Sequence, residues 1–97
     1  RDTSHAQAAW AKACEFMRDP SYAMVILDEF NIALHQGYVS VTDVLPYVQQ
    51  RPVMQHVVIT GRGAPAELIE AADLVTEMKQ VKHPFRKGIK AQPGVEF

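Results

Sequence analysis

A short apolar run that ends in two acids, MVILDEF at residues 24–30, sets the tightest limit on the fold. Residues 23–27 show no alternation of polar and apolar side chains, which predicts a parallel strand covered on both faces. Asp28 and Glu29 follow directly, and neighbouring residues of an extended chain point to opposite sides. Two ionised carboxylates at such a place are costly unless a positive charge meets at least one of them. We therefore expect a metal ion there.

A second apolar run, residues 56–59 of the stretch HVVITGRG, predicts another buried strand. The turn after it, residues 60–63, contains two glycines and is flexible enough to bring backbone close to a ligand. Residues 74–81 mix apolar and charged side chains, which predicts a third strand near an edge of the sheet.

Helices are predicted between these strands. The first begins with a capping box formed by Ser4 and Gln7 and stops at Asp19. Its apolar side chains recur at helical spacing and include a tryptophan expected to anchor the core: Ala6, Ala9, Trp10, Ala13 and Met17.

Two more helices follow from the same periodicity. One covers residues 42–50, with Pro46 near its first turn, where proline is tolerated. The other has Pro65 and Glu67 in its first turn. Its apolar side is expected to consist of Leu68, Ile69 and Ala72.

Strands that alternate with helices predict an α/β fold with a parallel sheet, and ligands of such sheets bind beyond the carboxyl ends of the strands. Asp28, Glu29 and residues 60–63 would all lie at that edge. The chain shows no internal repeat or linker, so residues 1–97 are expected to form part of one domain.

Composition narrows the class of protein. The 97 residues are 47% hydrophobic, which suits one small domain. No apolar run approaches the roughly 20 residues of a membrane-spanning helix, so no membrane partner is expected. The single cysteine, Cys14, cannot form an internal disulfide and no secretory signal opens the chain, which favours a cytoplasmic location. Cys14 itself is expected to be a small buried hydrophobe.

Charge is distributed unevenly. Residues 79–97 carry five lysines and arginines against Glu96 alone, although the whole chain has a net charge of −1. Prolines and glycines break any regular element there, so the cations of this irregular tail either wrap around an anionic ligand or are simply solvated. One short basic segment falls short of a basic face, so no nucleic acid is expected to bind.

An apolar strand that ends in Asp-Glu, beside a strand that ends in Thr-Gly-Arg, is similar to the Walker B side of a P-loop nucleotide-binding protein. The carboxylates of such a site hold Mg²⁺ (or Mn²⁺), which bridges phosphate oxygens. Such acids can also cap a neighbouring helix or pair with an arginine, so the motif alone leaves both interpretations open.

Two long stretches, VILDEFNIALHQGYVSVTDVL and RPVMQHVVITGRGAPAELIEAADLVTEMKQVKHPFRKGIKAQPGVEF, resemble the carboxyl-terminal half of the bacterial ATP:corrinoid adenosyltransferases. The ending TEMKQVKHPFRKGIKAQPGVEF is the most specific part. The resemblance implies a P-loop NTPase-like (RecA-type) parallel sheet flanked by helices. It also implies a homodimer with ATP and a reduced corrinoid, cob(I)alamin or a precursor, as substrates. In this family cobalt(I) attacks the 5′-carbon of ATP and triphosphate leaves.

The resemblance also implies roles for individual residues. Asp28 and Glu29 would bind the metal, and Glu29 with Arg62 would be catalytic. Arg62, Lys82 and Lys90 would bind the nucleotide. For the tail residues Lys82, His83 and Lys90, the resemblance implies an approach either to the nucleotide or to the partner subunit. The alternative for Arg62 is a structural salt bridge to one of the two acids, and for the lysines solvated charge.

Other polar side chains invite a simpler reading. His35 and His56 are isolated, without a second histidine or cysteine at metal-ligand spacing, so a zinc site is not expected. Asn31 and Tyr38 follow the acids and either line a pocket or pack.

One departure from the family is large: the phosphate-binding motif G-x-x-x-x-G-K-[ST] does not occur in the chain. We therefore expect a fragment that lacks the phosphate-loop strand, is inactive alone, and needs the missing amino-terminal half as a partner. The uncovered strand edge would invite that association. The alternatives are half of another P-loop ATPase or kinase, or a non-catalytic module that forms oligomers.

Overall fold

The computed structural model describes residues 3–84, which form four helices and two strands. In chain order these are α1 (Thr3–Arg18), β1 (Met24–Leu27), α2 (Phe30–His35), α3 (Val41–Gln49), β2 (His56–Ile59) and α4 (Ala66–Ala71). None of the helices in this part of the chain combines the length and the apolar character needed to cross a membrane. Lys90 lies outside the described residues.

The two strands form a parallel sheet, which confirms the predicted α/β class. Met24 pairs with His56 at the start of the ladder and Leu27 with Ile59 at its end. Because paired residues of parallel strands share a face, the sheet has one face that carries Val25 and a second face that carries Met24.

Helices α1 and α3 cover the first face. Met17 and Val25 pack in one buried cluster, and Val44 belongs to a second cluster with side chains from α2 and α4. Met17 is 1% exposed and Val44 is fully buried, and each such side chain contributes about 1.5–3 kcal/mol. Trp10 contacts both clusters, as expected of a core anchor.

The second face of the sheet is open, so the prediction of strands covered on both faces is wrong for the described residues. Met24 is 53% exposed, Ile26 59% and Val58 40%. The physical reason is that α1 and α3, whose side chains bury the sheet, both pack on the opposite face. The apolar side chains of these strands that lie on the second face are therefore left uncovered by residues 3–84.

The helix bounds differ from the prediction in informative ways. Helix α1 begins at Thr3, so Ser4 lies inside its first turn and not before it. Helix α3 begins at Val41 after Ser40, whose hydroxyl accepts a hydrogen bond from the Thr42 backbone nitrogen at 3.3 Å. Pro46 therefore lies in the second turn of α3, where its missing N–H weakens the helix more than in the first turn.

Helix α2 was not predicted. It spans only six residues, directly after the two acids, and Gly37 at φ 76° follows it. Helix α4 begins after Pro65, its N-cap residue, with Glu67 in its first turn as expected. Leu68 is its buried side chain, whereas Ile69 is 45% exposed.

The predicted third strand at residues 74–81 does not form. None of these residues is in a strand, and all of them are exposed. Leu74 is 83% exposed and Met78 91%. A segment that does not pair with a neighbouring strand gains neither ladder hydrogen bonds nor apolar burial, so its strand-like composition alone does not make it a strand.

The amino-terminal end of the sheet is held by a buried amide. Gln55, 3% exposed, donates from Nε2 to the carbonyl oxygens of Phe16, Asp19 and Tyr22 at 3.0–3.2 Å. Asp19 in turn accepts hydrogen bonds from the Ser21 backbone nitrogen and hydroxyl, which lower the pKa of the Asp19 carboxyl. These contacts fix the turn between α1 and β1.

Candidate functional site

The carboxyl ends of the two strands are joined through one hydroxyl group. Since Leu27 pairs with Ile59, the residues that follow, Asp28 and Thr60, come next to each other. The Thr60 hydroxyl donates to Asp28 Oδ1 at 2.9 Å and accepts from the Glu29 backbone nitrogen at 2.8 Å. The sheet thus brings both acids to the turn at residues 60–63, as the sequence predicts.

Glu29 has an unusual backbone. Its φ of 58° and ψ of 20° lie in the left-handed region, and it is the only described residue other than glycine with positive φ. Such a conformation costs about 1–3 kcal/mol and persists where the surroundings enforce it. Gly61, at φ 116°, lies so close that a Cβ there would be 3.3 Å from the Glu29 Cα. The two turns are packed against each other.

Asn31 holds the same two turns together. Its side chain is 4% exposed, and Nδ2 donates to the Gly61 carbonyl oxygen at 2.9 Å. Its backbone nitrogen donates to the Thr60 carbonyl oxygen at 3.1 Å. Within residues 3–84, Asn31 Oδ1 is buried without a hydrogen-bond partner.

The oxygen ligands at the strand ends suit Mg²⁺ that is bound together with a nucleotide more than a metal ion enclosed by protein ligands alone. The residues that the structure describes contain no group of three or more histidine, cysteine or acidic side chains able to hold a metal ion. Asp28 and Glu29 are exposed at the strand ends and supply oxygen ligands. Mg²⁺ in nucleotide sites is commonly held by one or two carboxylates, with water and phosphate oxygens completing its shell. The two acids fit that pattern.

Arg62 lies in the same turn and its side chain is exposed. No ion pair joins it to Asp28 or Glu29 among the described residues, where the salt bridges Lys12–Glu15 and Arg51–Asp73 are found. Within residues 3–84 neither acid is ion-paired with Arg62, and its role as a phosphate contact stays a prediction.

The basic tail is only partly described. Lys82 is exposed, and no hydrogen bond or ion pair in the described part of the chain joins it to the strand ends. His83 is half-buried.

Two surface depressions lie away from the strand ends. Arg18 and Tyr47 line one of them, and the other lies near Pro20 and Val53 at the opposite end of the strands. Arg18 stacks on the Tyr47 ring, 4.7 Å from its centroid, and donates to the Tyr47 hydroxyl. Nearby Cys14 is buried as expected, and burial raises the pKa of its thiol. Nothing there resembles the chemistry of the strand ends.

Sequence reasoning missed the structural part of this site. The sequence indicates Thr60 only as part of a flexible turn and of the Thr-Gly-Arg strand end, and Asn31 only as a residue that lines a pocket or packs. The contact between Thr60 and Asp28 could have been predicted from sequence position. When the two strands pair, the residue that follows the second strand lies next to the residue that follows the first. Asn31 had no such signal, since α2 was not predicted.

The chain is similar to known enzymes along its whole length. The family described as ATP:corrinoid adenosyltransferase BtuR/CobO/CobP matches residues 1–97. The corrinoid adenosyltransferase of Pseudomonas aeruginosa is 58% identical over 97 residues, which cover 100% of this chain and 48% of that protein. Another from Sinorhizobium sp is 56% identical over 98 residues, covering 100% of this chain and 46% of that protein.

A more distant relative has the same name. The corrinoid adenosyltransferase of Escherichia coli K12 is 38% identical over 96 residues, which cover 99% of this chain and 49% of that protein. The chain therefore spans about half the length of the curated relatives it matches.

Proposed function

The chain belongs to the ATP:corrinoid adenosyltransferase family, and from that premise we propose that the protein containing it transfers the 5′-deoxyadenosyl group of ATP to the cobalt(I) of a corrinoid. The match over all 97 residues carries this proposal. The meeting of Asp28, Glu29 and the turn at residues 60–63 at one sheet edge supports it, because these are the groups expected to face a triphosphate.

The proposed reaction is an alkyl transfer. The electron pair of cobalt(I) attacks the 5′-carbon of ATP, a cobalt–carbon bond forms, and the bond from that carbon to the triphosphate oxygen breaks. Cobalt is oxidised from I to III, and triphosphate leaves with the electron pair. Because the corrinoid substrate is itself a strong nucleophile, the protein has to position the carbon and stabilise charge on the leaving group.

We assign metal binding to the acids. Glu29 is the proposed direct ligand of Mg²⁺ (or Mn²⁺), and Asp28, whose Oδ1 already accepts from Thr60, is the proposed supporting or water-mediated contact. When bound, the metal would neutralise charge on the triphosphate. The Thr60 hydroxyl orients the Asp28 carboxylate, and the left-handed backbone of Glu29 sets where its side chain leaves the turn.

Cations of the chain complete the proposed site. Arg62 is the proposed phosphate contact, and its exposure without an acidic partner in the described part of the chain supports this. Lys82 and Lys90 are proposed to approach the nucleotide or the partner subunit of a homodimer.

The proposed parent fold is a P-loop NTPase-like (RecA-type) domain, of which residues 1–97 form the carboxyl-terminal part. The parallel strand pair and its helices are compatible with this. The open apolar face at Met24, Ile26 and Val58 supports it too, since a larger domain would cover that face. No G-x-x-x-x-G-K-[ST] motif occurs in these residues, so the isolated chain is expected to be inactive.

An adenosylation assay on the intact protein tests the proposal. Mg-ATP and chemically reduced cobalamin are mixed, and adenosylcobalamin formation is followed by its spectrum, together with the released phosphate species. Adenosylcobalamin with equimolar triphosphate is the expected result, and Glu29→Gln should abolish or sharply reduce both. Steady production of ADP without adenosylcobalamin would instead identify an ATPase or kinase. Failure to bind ATP would leave the non-catalytic module.

A further inference from the structure

The geometry points to Asn31 as a positioning residue that fixes the backbone of Glu29 and thereby sets the metal affinity of the site. Asn31 is not a proposed ligand of substrate or metal and acts through Glu29. The functional part of the inference rests on the proposed function, whereas the structural part concerns this chain alone.

The contacts of Asn31 connect the two turns directly. The Nδ2 group donates to the Gly61 carbonyl oxygen at 2.9 Å, and the backbone nitrogen donates to the Thr60 carbonyl oxygen at 3.1 Å. Both acceptors lie in the turn after β2, while Asn31 lies in the first turn of α2, two residues after Glu29. Loss of the side-chain bond would leave the Gly61 carbonyl oxygen, in a partly buried contact, without its donor.

The hydrogen bond from Asn31 to Gly61 opposes relaxation of the left-handed backbone of Glu29. A left-handed conformation is uncommon for a residue with a Cβ and reverts unless neighbouring groups prevent it. Two neighbours restrain it: Thr60 Oγ1, which accepts from the Glu29 nitrogen at 2.8 Å, and Gly61, whose Cα packs against the Glu29 backbone. The backbone nitrogen of Asn31 holds Thr60 and its side chain holds Gly61, so the side chain secures the second of the two restraints.

The opposite end of the sheet supplies a matched control. Gln55 is also a buried primary amide, 3% exposed, whose Nε2 donates to backbone carbonyls and whose Oε1 lacks a partner within residues 3–84. It precedes β2, whereas Asn31 contacts the turn that follows β2. Removing either amide should lower stability. Only the loss of Asn31 should alter the strand ends that carry the acids.

The experiment compares Asn31→Ala and Gln55→Ala in the intact protein. Hydrogen–deuterium exchange of the Glu29 amide is measured without substrates, and the Mg²⁺ concentration that gives half-maximal adenosylation is measured with them. Mn²⁺ binding in the presence of ATP is followed by electron paramagnetic resonance. For Asn31→Ala we expect faster exchange at Glu29 and metal binding weakened about 10- to 100-fold, the usual effect of losing such an indirect contact. For Gln55→Ala we expect neither change, despite a lower melting temperature.

Asn31→Asp is the second variant, in case Asn31→Ala does not fold. It keeps the volume of the side chain but removes the donor to Gly61. A purely electrostatic effect of the added carboxylate would strengthen binding of a divalent cation, whereas loss of positioning would weaken it. Tighter Mn²⁺ binding by Asn31→Asp would therefore overturn the inference.

The other outcomes are also decisive. Unchanged exchange at Glu29 in Asn31→Ala would overturn the structural part, and faster exchange with unchanged metal binding would overturn the functional part. Equal metal effects in Gln55→Ala would show a general loss of structure instead of positioning. If the wild-type protein forms no adenosylcobalamin, the proposed function fails, while the exchange measurement still decides whether Asn31 fixes Glu29.

Discussion

The hydroxyl of Thr60 lies within hydrogen-bond distance of Asp28 and links the ends of the two strands. The same oxygen accepts from the backbone of the next acid, so one small side chain organises both carboxylate-bearing residues. Such an oriented carboxylate is a better metal ligand than a free one, because its position is fixed before the metal arrives.

Thr60→Val should remove both functions of this hydroxyl. The substitution keeps the shape but removes donor and acceptor, so we expect a loss of about 0.5–1.5 kcal/mol in the free energy of unfolding. Adenosylation should fall about 10- to 100-fold at limiting Mg²⁺. Thr60→Ser retains the hydroxyl and is the control. Equal activity of the valine and serine variants would contradict the assigned role.

Glu29→Gly should make the protein more stable and inactive. Glycine adopts the left-handed conformation without the Cβ penalty, so we expect a gain of about 1 kcal/mol in chemical denaturation. Glu29→Gln keeps the strained backbone and removes only the charge, so it should lose activity without gaining stability. A glycine variant that retains full activity would show that the Glu29 carboxylate is not a metal ligand.

Gly61→Ala should be more harmful than Gly37→Ala. Both glycines have positive φ, 116° and 76°, so both substitutions strain the backbone. A Cβ at Gly37 meets nothing within 4 Å, whereas one at Gly61 meets Asn31 and Glu29 at 3.3 Å. We expect a loss of about 1 kcal/mol at Gly37 and more at Gly61, with lower activity in the Gly61 variant alone. Thermal denaturation and the adenosylation rate check both expectations.

Arg62→Ala should impair activity and leave stability unchanged, whereas Arg51→Ala should lower stability with little effect on activity. Arg62 is exposed and forms no ion pair within the described residues, so its loss should leave the melting temperature unchanged and raise the KM for ATP or lower kcat. Arg51 donates to the carbonyl oxygens of Gln55 and Val48 at 2.8 and 2.7 Å, and its loss should cost about 1–3 kcal/mol with little effect on kcat. A large stability loss in Arg62→Ala would contradict the phosphate-binding role.

Cys14 should react slowly with alkylating reagents. Burial raises the pKa of its thiol, so the neutral form is favoured in the folded protein at neutral pH. The stabilisation from the neutral thiol is complete below the unfolded pKa of about 8.5 and is lost as pH rises through the higher folded value. Mass spectrometry of the Cys14 peptide after iodoacetamide treatment should show slow labelling in native protein and rapid labelling in urea. Equal rates would contradict burial.

Sequence patterns predicted the parts of the fold that depend on local composition. The two apolar runs became paired parallel strands because their side chains favour extended, buried backbone. Helix α1 followed its periodicity to Arg18. Residues 74–81 have a similar composition but form no strand, since pairing depends on neighbouring backbone that a linear pattern does not show. The open face at Ile26 was missed for the same reason.

For the candidate site too, the sequence predicts the features that depend on strand order but not those that depend on contacts between distant residues. The position of Asp28 and Glu29 at the carboxyl edge follows from strand order, so sequence predicts it. The left-handed backbone of Glu29 and its support by Asn31 depend on contacts between residues about 30 positions apart. No spacing rule encodes such contacts, and they emerge only when both turns are folded.

The pairing register of the sheet limits how this sequence can diverge. Each strand has four residues, and the ladder from Met24–His56 to Leu27–Ile59 ends one step before Asp28 and Thr60. Inserting or deleting one residue in either strand would turn its side chains over and separate the acid from its hydroxyl. Length variation among descendants of this sequence should therefore accumulate in exposed segments such as residues 72–81, while these eight strand positions keep a constant length.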